Sequence, residues 1–317
     1  MDTKWIENGD IRLEVKLVGS GPVILCVHGW PELWYSWRHQ MAYFSAQGYT
    51  VAAMNVRGYG GSSHPSEIAA YTLSELTSDV CAVAQTLSTD PVILFGHDWG
   101  APIVYHSALR YPQVFSAVAG LIVPYMPSGG QSVLATMRHV YAGRFFYQLY
   151  FQPEAVAETA IESDIELALR KIYFSLSGDA PLNDWLKHKP ADAALLDDLH
   201  NPEPFPDWLS EVDLAVYAEA FEKAGFRGPL NRYRAQELDQ ALLPEHRGQQ
   251  LQQPSCMIAG ERDAVRSFFP GVDLYEGAAA GSADYRGTTL VKDVGHWVQQ
   301  EAPEETNAAL MQFLNGL

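Results

Sequence analysis

Asp98 stands between two glycines in Gly96-His97-Asp98-Trp99-Gly100, directly after the apolar run Pro91-Val92-Ile93-Leu94-Phe95. A short strand, a sharp turn and a helix-like stretch running to Leu109 would lift the central side chain above the edge of a sheet. A serine in that place needs a base to remove its proton, and it then attacks acyl carbon. A carboxylate is already ionised near neutral pH and suits attack on an electrophilic sp³ carbon, leaving an alkyl ester on the protein. Taken alone, an Asp in such a turn is more often a cap or turn residue. Its place after a buried-type strand, and the motifs that accompany it, favour the nucleophile.

An alkyl ester must then be hydrolysed, which calls for a base with a partner. The candidate base is His296 in Asp293-Val294-Gly295-His296-Trp297. Its candidate partner is Asp263 in Ala259-Gly260-Glu261-Arg262-Asp263, with Glu261 ranked below it. Both follow strand-like runs and so fall at the carboxyl ends of strands, where open α/β sheets build their sites. His28-Gly29-Trp30-Pro31 follows the run Val23–Val27. This loop and the residue after the nucleophile are expected to offer the backbone N–H groups of Trp30 and Trp99 to an oxyanion. A cis Trp30–Pro31 bond would suit the tight turn. His28 is read as organising the loop through a hydrogen bond. No His, Cys or carboxylate cluster has metal-ligand spacing, and Arg57-Gly58-Tyr59-Gly60-Gly61-Ser62 lacks a nucleotide fingerprint. No cofactor and no metal are therefore expected.

The elements that must carry these loops are short apolar runs separated by helix-like stretches. Pro22–Val27, Tyr49–Val56, Pro91–Phe95, Phe115–Val123, Cys256–Ala259 and Thr288–Val291 read as buried strands of a mostly parallel sheet. Ile11–Val18 alternates and reads as an outer antiparallel strand. The alternation of strand and helix signals predicts an α/β, doubly wound architecture. Strand signals disappear between roughly Tyr125 and Pro244, which predicts an inserted all-helical cap at 131–244 between core segments 1–130 and 245–317. Within the cap, Leu209, Val212, Val216, Tyr217, Ala220 and Phe221 fall on one predicted helical face, and Gly225 is placed to end that helix.

Composition narrows the partners. In 317 residues, Lys+Arg of 21 against Asp+Glu of 38 gives a formal net charge of −17, which repels phosphate backbones and anionic lipid. The expected partners are a small molecule and water, with no nucleic acid and no membrane, and a homodimer left open. Three cysteines cannot form a fully paired disulfide framework. The N-terminus lacks an apolar signal core, and no segment reaches the apolar length of a membrane span. A reducing, cytoplasmic setting is the expectation.

Over nearly its whole length the chain resembles the α/β-hydrolase-fold epoxide hydrolases. The likeness is carried by His28-Gly29-Trp30-Pro31, Arg57-Gly58-Tyr59-Gly60, Gly96-His97-Asp98-Trp99-Gly100 and Gly295-His296-Trp297 in that order. The order nucleophile, acid, histidine also suits that fold. Haloalkane dehalogenases share the Asp-Trp turn, and a haloalkane or haloacid dehalogenase is the alternative. The cap separates the two. Phe145-Phe146-Tyr147-Gln148-Leu149-Tyr150-Phe151-Gln152 and Gly225-Phe226-Arg227-Gly228-Pro229-Leu230-Asn231-Arg232-Tyr233-Arg234 resemble the segments that carry the family's two epoxide-binding tyrosines. The resemblance thus implies Tyr147, with Tyr150 its nearest rival, and Tyr233. Asn55 departs from the family, which often has Asp there. The extra N-terminal domain of some animal members is not expected. An epoxide substrate also fits two phenols on chemical grounds: ring opening leaves an alkoxide that needs a proton, whereas a halide needs none.

Overall fold

The computed structural model describes residues 1–317 except Ser128, Gln131, Asn183 and 243–245; at Gln240 and Leu242 it describes the backbone alone. The apolar runs become strands within a few residues of their expected places. With an unexpected β1 ahead of them, the strands are β1 (Asp2–Asn8), β2 (Ile11–Gly19), β3 (Val23–Val27), β4 (Thr50–Met54), β5 (Val92–His97), β6 (Phe115–Leu121), β7 (Ser255–Gly260) and β8 (Tyr285–Val291). Among the described residues they form one sheet in the order β1-β2-β4-β3-β5-β6-β7-β8. β2 runs antiparallel to both its neighbours, and every other pairing is parallel. β3, β5 and β7 are buried along their whole length, because helices cover both faces.

Three expectations need correction. Ile11–Val18 is antiparallel but not outermost. β1 covers it, and its mostly exposed side chains, with only Ile6 buried, leave no apolar run to read. Thr288–Val291 is not a buried strand. β8 is the opposite edge of the sheet, and of its residues only Val291 is buried.

The third concerns the helices. α1 (Arg38–Ala46), α2 (Leu73–Leu87) and α3 (Gly100–Arg110) connect the early strands. Between β6 and β7 the described elements are helices: α4 (Val133–Val140), α5 (Tyr147–Tyr150), α6 (Val156–Glu162), α7 (Ile165–Leu176), α8 (Glu211–Ala224), α9 (Arg227–Arg234) and α10 (Gln236–Leu242). The expected cap limits fall on Gln131 and Pro244, which lie outside the described residues. α8 opens on a capping box between Ser210 and Asp213 and ends at Gly225, whose φ of 70° suits glycine. Its buried face is Leu214, Tyr217, Ala218 and Phe221, an i, i+3, i+4, i+7 set. Val212, expected on that face, is 76% exposed, and Leu209 precedes the helix. The helix starts later than the apolar pattern suggests, so its first turn faces solvent.

α11 (Val298–Glu301) and α12 (Pro303–Leu314) close the chain. α2 packs on α3, and α1 packs on α12, giving one helical layer on each face of the sheet. Because β3 pairs with β4 on one side and β5 on the other, the connections leaving β3 and β5 diverge. The crevice so formed at the carboxyl ends of these strands is the place where open α/β sheets bind ligands.

Candidate active site

The turn after β5 is built by close approach. A Cβ on Gly100 would stand 2.0 Å from the carbonyl oxygen of Val27, so only glycine lets α3 start against β3. Asp98 itself has φ of 50°, a left-handed conformation that Asp tolerates better than most residues. Such strain is typical of an exposed nucleophile on a strand-to-helix turn. The Trp30 N–H donates to Asp98 Oδ1 at 2.7 Å. Gly29 makes that approach feasible: a Cβ there would lie 2.3 Å from Asp98 Oδ1 and 2.6 Å from the Trp99 nitrogen. His28 does organise this loop. The Val56 N–H donates to His28 Nε2 at 3.1 Å, which leaves Nδ1–H to donate to the Gly29 carbonyl at 2.8 Å. Burial holds His28 down at about 4, so its ring is neutral. The Trp30–Pro31 bond is cis. Asn55 braces the neighbouring loop, accepting from the Trp34 N–H at 2.9 Å and donating to Glu14 at 2.7 Å. An aspartate could accept the first bond but not make the second.

The structure brings His296 and Asp263 to the same place. His296 Nε2 stands 3.7 Å from Asp98 Oδ2, and its Nδ1 donates to Asp263 Oδ1 at 3.1 Å. Asp263 is buried and further held by the Tyr275 hydroxyl at 2.9 Å and the Val265 N–H at 2.9 Å. Glu261 is exposed. Burial by itself pulls the His296 imidazolium down, but the opposing charges of Asp263 and Asp98 outweigh it and raise the group to about 10.

Two carboxylates that no sequence motif singled out hold these loops together. Glu32 is fully buried and accepts from the Gly29 N–H at 3.0 Å, His97 Nδ1 at 2.7 Å and Gln299 Nε2 at 2.9 Å. His97 Nε2 in turn donates to the His296 carbonyl at 2.7 Å. One buried network therefore ties the Trp30 loop, the residue before Asp98 and the His296 loop. Glu301 accepts from the N–H groups of Gly178 at 2.7 Å, Trp297 at 2.8 Å and Gly295 at 3.0 Å, bracketing His296. Their sequence signal is faint: Glu32 is an acid inside the apolar stretch Trp30-Pro31-Glu32-Leu33-Trp34.

Asp98, Trp99, Tyr147 and Gln148 line a cavity of about 420 Å³, with Met137, Val265, Phe268 and Leu274 among its apolar walls. Tyr233 is buried beside it, its ring 6.0 Å from that of Tyr147, 5.3 Å from Trp99 and 5.9 Å from Trp30. Burial, and then the charge of Asp98, push both hydroxyls up, so both keep their protons. Tyr150 is half-buried, and of these three tyrosines only Tyr147 is part of the cavity wall. Among the described residues, no group of three or more His, Cys, Asp or Glu side chains could hold a metal ion, and no helix is long and apolar enough to cross a membrane.

The chain as a whole is similar to known proteins. Residues 22–303 match the model of the alpha/beta hydrolase fold family. Epoxide hydrolase A of Mycobacterium tuberculosis is 34% identical over 317 residues, covering 99% of this chain and 97% of that protein. Epoxide hydrolase 3 of Siraitia grosvenorii is 34% identical over 98% of this chain and 97% of its own. The chain belongs to the epoxide hydrolases of the α/β-hydrolase fold. An epoxide hydrolase from an endophytic Streptomyces superposes on this enzyme with a TM-score of 0.94 at 37% identity, over 99% of this chain and 95% of that one. Epoxide hydrolase A from Mycobacterium thermoresistibile gives 0.92 at 37% identity, over 100% and 98%. A dehalogenase is not favoured. For this epoxide hydrolase, Gly29→Ala is expected to cut the initial rate of diol formation by about 10²-fold or more, since the added methyl forces the Trp30 amide away from Asp98.

Proposed function

We propose that the enzyme opens an epoxide by attack of Asp98 on a ring carbon and then hydrolyses the resulting hydroxyalkyl ester to a vicinal diol. The observation that carries the reading is the arrangement around one carboxylate. Oδ1 already accepts from the Trp30 amide at 2.7 Å, while His296, backed by Asp263, stands 3.7 Å from Oδ2. Oδ2 attacks, and Oδ1 becomes the ester carbonyl. As the new C–O bond forms, the ring C–O bond breaks and its electron pair goes to the ring oxygen. Tyr147 and Tyr233 hold that oxygen, and one of them gives it a proton. His296 then takes a proton from water, which adds to the carbonyl carbon of Asp98. The Trp30 and Trp99 amides hold the oxyanion until the bond to the alkyl oxygen breaks and His296 returns a proton to the leaving diol. The added water leaves Asp98 as a carboxylic acid, which gives its proton to solvent, and the phenolate takes one from solvent, restoring both groups.

The same reading divides the chain into a core at 1–130 and 245–317 and a cap at 131–244, supported by the run of helices between β6 and β7. Three free, buried cysteines support a reducing, cytoplasmic setting.

A single turnover of excess enzyme with styrene oxide in ¹⁸O-water tests the covalent path. Label is expected in the peptide carrying Asp98, with unlabelled diol; label confined to the diol means direct attack by water and sinks the ester. Tyr147→Phe and Tyr233→Phe are each expected to slow ring opening by about 10- to 100-fold, because each removes a hydrogen bond to a developing charge. Rapid-quench measurement of the ester separates this loss from any change in its hydrolysis. Parental ring opening in both variants would remove the tyrosines from the mechanism.

A further inference from the structure

The residue after Tyr147 carries no role in the sequence reading. Gln148 Nε2 donates to the Tyr147 hydroxyl oxygen at 3.0 Å, and both side chains line the cavity with Asp98. The direction of this amide is set by a backbone group. The Tyr233 carbonyl can only accept, and it takes a hydrogen bond from Gln236 Nε2 at 3.1 Å. The same NH₂ group meets Gln148 Oε1 at 3.4 Å, a long contact that nevertheless assigns the oxygen end of Gln148 as the acceptor. The NH₂ end of Gln148 is left to face Tyr147. Gln152 steadies both residues by donating to the backbone carbonyls of Gln148 at 2.8 Å and Tyr233 at 3.3 Å. Two donations therefore diverge from Gln236, one to the backbone of Tyr233 and one to Gln148, and Gln148 passes the second on to the hydroxyl of Tyr147.

We infer that Gln148 is a positioning residue for ring opening, acting through Tyr147. By filling an acceptor site on the Tyr147 oxygen, it leaves that hydroxyl's own proton to point into the cavity towards the epoxide oxygen. When the ring C–O bond breaks, its electron pair stays on the ring oxygen and the Tyr147 proton passes to it. The oxygen left behind is a phenolate, and the Gln148 hydrogen bond strengthens as that charge appears. Burial and the charge of Asp98 both oppose a phenolate at Tyr147, and the Gln148 hydrogen bond is the influence that favours it. The inference rests on the epoxide-opening role proposed for Tyr147.

The test compares Gln148→Leu and the near-isosteric Gln148→Glu in single turnovers with styrene oxide, from mildly acidic to alkaline pH. Ester formation and ester hydrolysis are followed separately by rapid quench and intact mass. Gln148→Leu is expected to slow ring opening by about 10- to 100-fold, with KM and ester hydrolysis little changed and the parental pH profile kept. Gln148→Glu is expected to lose more at alkaline pH, where its carboxylate accepts the Tyr147 proton and turns it away from the cavity. Its ring opening should recover as the pH falls and the carboxylic acid can donate again. Parental ring opening in Gln148→Leu overturns the inference. So do equal losses in both variants with the parental pH profile, which is what a packing role would give. Should Gln148→Leu prove unstable, Gln236→Leu removes the group that orients Gln148 without touching Tyr147, and parental ring opening there also counts against it. The underlying reading fails separately, if the parent forms no ester or Tyr147→Phe opens the ring at the parental rate. Slow Tyr147→Phe beside fast Gln148→Leu overturns this inference alone.

Discussion

An Asp98→Ala variant is expected to form no ester and to lose diol formation by about 10⁴- to 10⁶-fold, the scale on which other covalent catalysts lose activity when the nucleophile is removed. The carboxylate is held on a turn that lifts it into the cavity, with one oxygen anchored at 2.7 Å by the Trp30 amide. The methyl group of alanine can neither attack carbon nor accept that hydrogen bond. Because Ala is less at ease than Asp at φ of 50°, Asp98→Asn is the companion variant: it keeps the shape and the tolerance of left-handed backbone but lacks the charge. Intact mass after incubation with styrene oxide should show no adduct for Asp98→Ala, and diol assays should stay at the uncatalysed level. An Asp98→Ala protein that still makes diol at a substantial fraction of the parental rate would mean that another group, or water itself, opens the ring.

His296→Gln is expected to show the opposite pattern. Ring opening survives, the ester accumulates as a mass increase equal to that of the substrate, and turnover falls by about 10²- to 10⁴-fold at the hydrolysis step. The pH dependence follows from the two charges that flank the imidazole. In the free protein, Asp263 and Asp98 overcome the effect of burial and hold His296 at about 10, so it is protonated at neutral pH and cannot accept a proton from water. Ester formation converts Asp98 to a neutral group and removes one of those charges, so the imidazole's pKa falls just when a base is needed. Hydrolysis should therefore rise with pH through a limb that lies below the value of about 10 in the free protein. Asp263→Asn, which removes the larger of the two raising influences, should move that limb to lower pH while slowing hydrolysis. Single-turnover pH profiles of the two phases check this, alongside an NMR titration of His296 in the free enzyme. A shared limb at the free-enzyme value would rule out the change of state at Asp98 as the trigger.

Much of the site was legible because it is encoded locally. Gly96-His97-Asp98-Trp99-Gly100 and His28-Gly29-Trp30-Pro31 specify backbone turns, and turns are set by a few adjacent residues. His296 and Asp263 could be found because each closely follows a strand, and strand ends share one edge of the sheet. Tyr147 and Tyr233 were legible only through family likeness. Among the 16 tyrosines, nothing local distinguishes a phenol at or beside the cavity from one that packs elsewhere.

The amino-acid sequence by itself determined the candidate nucleophile, the loops around it and the alternation of strand and helix, since each depends on neighbours along the chain. Only the tertiary structure decided which groups hold those loops in place. Glu32 meets Gln299 across 267 positions, and the polarity of Gln148 depends on Gln236, 88 positions away. It also decided that β1 covers β2 and that β8 lies at an exposed edge, although Thr288–Val291 reads as apolar enough for the interior. Whether a strand is central or peripheral is a property of what pairs with it, and a buried hydrogen bond between distant side chains leaves no period in the chain.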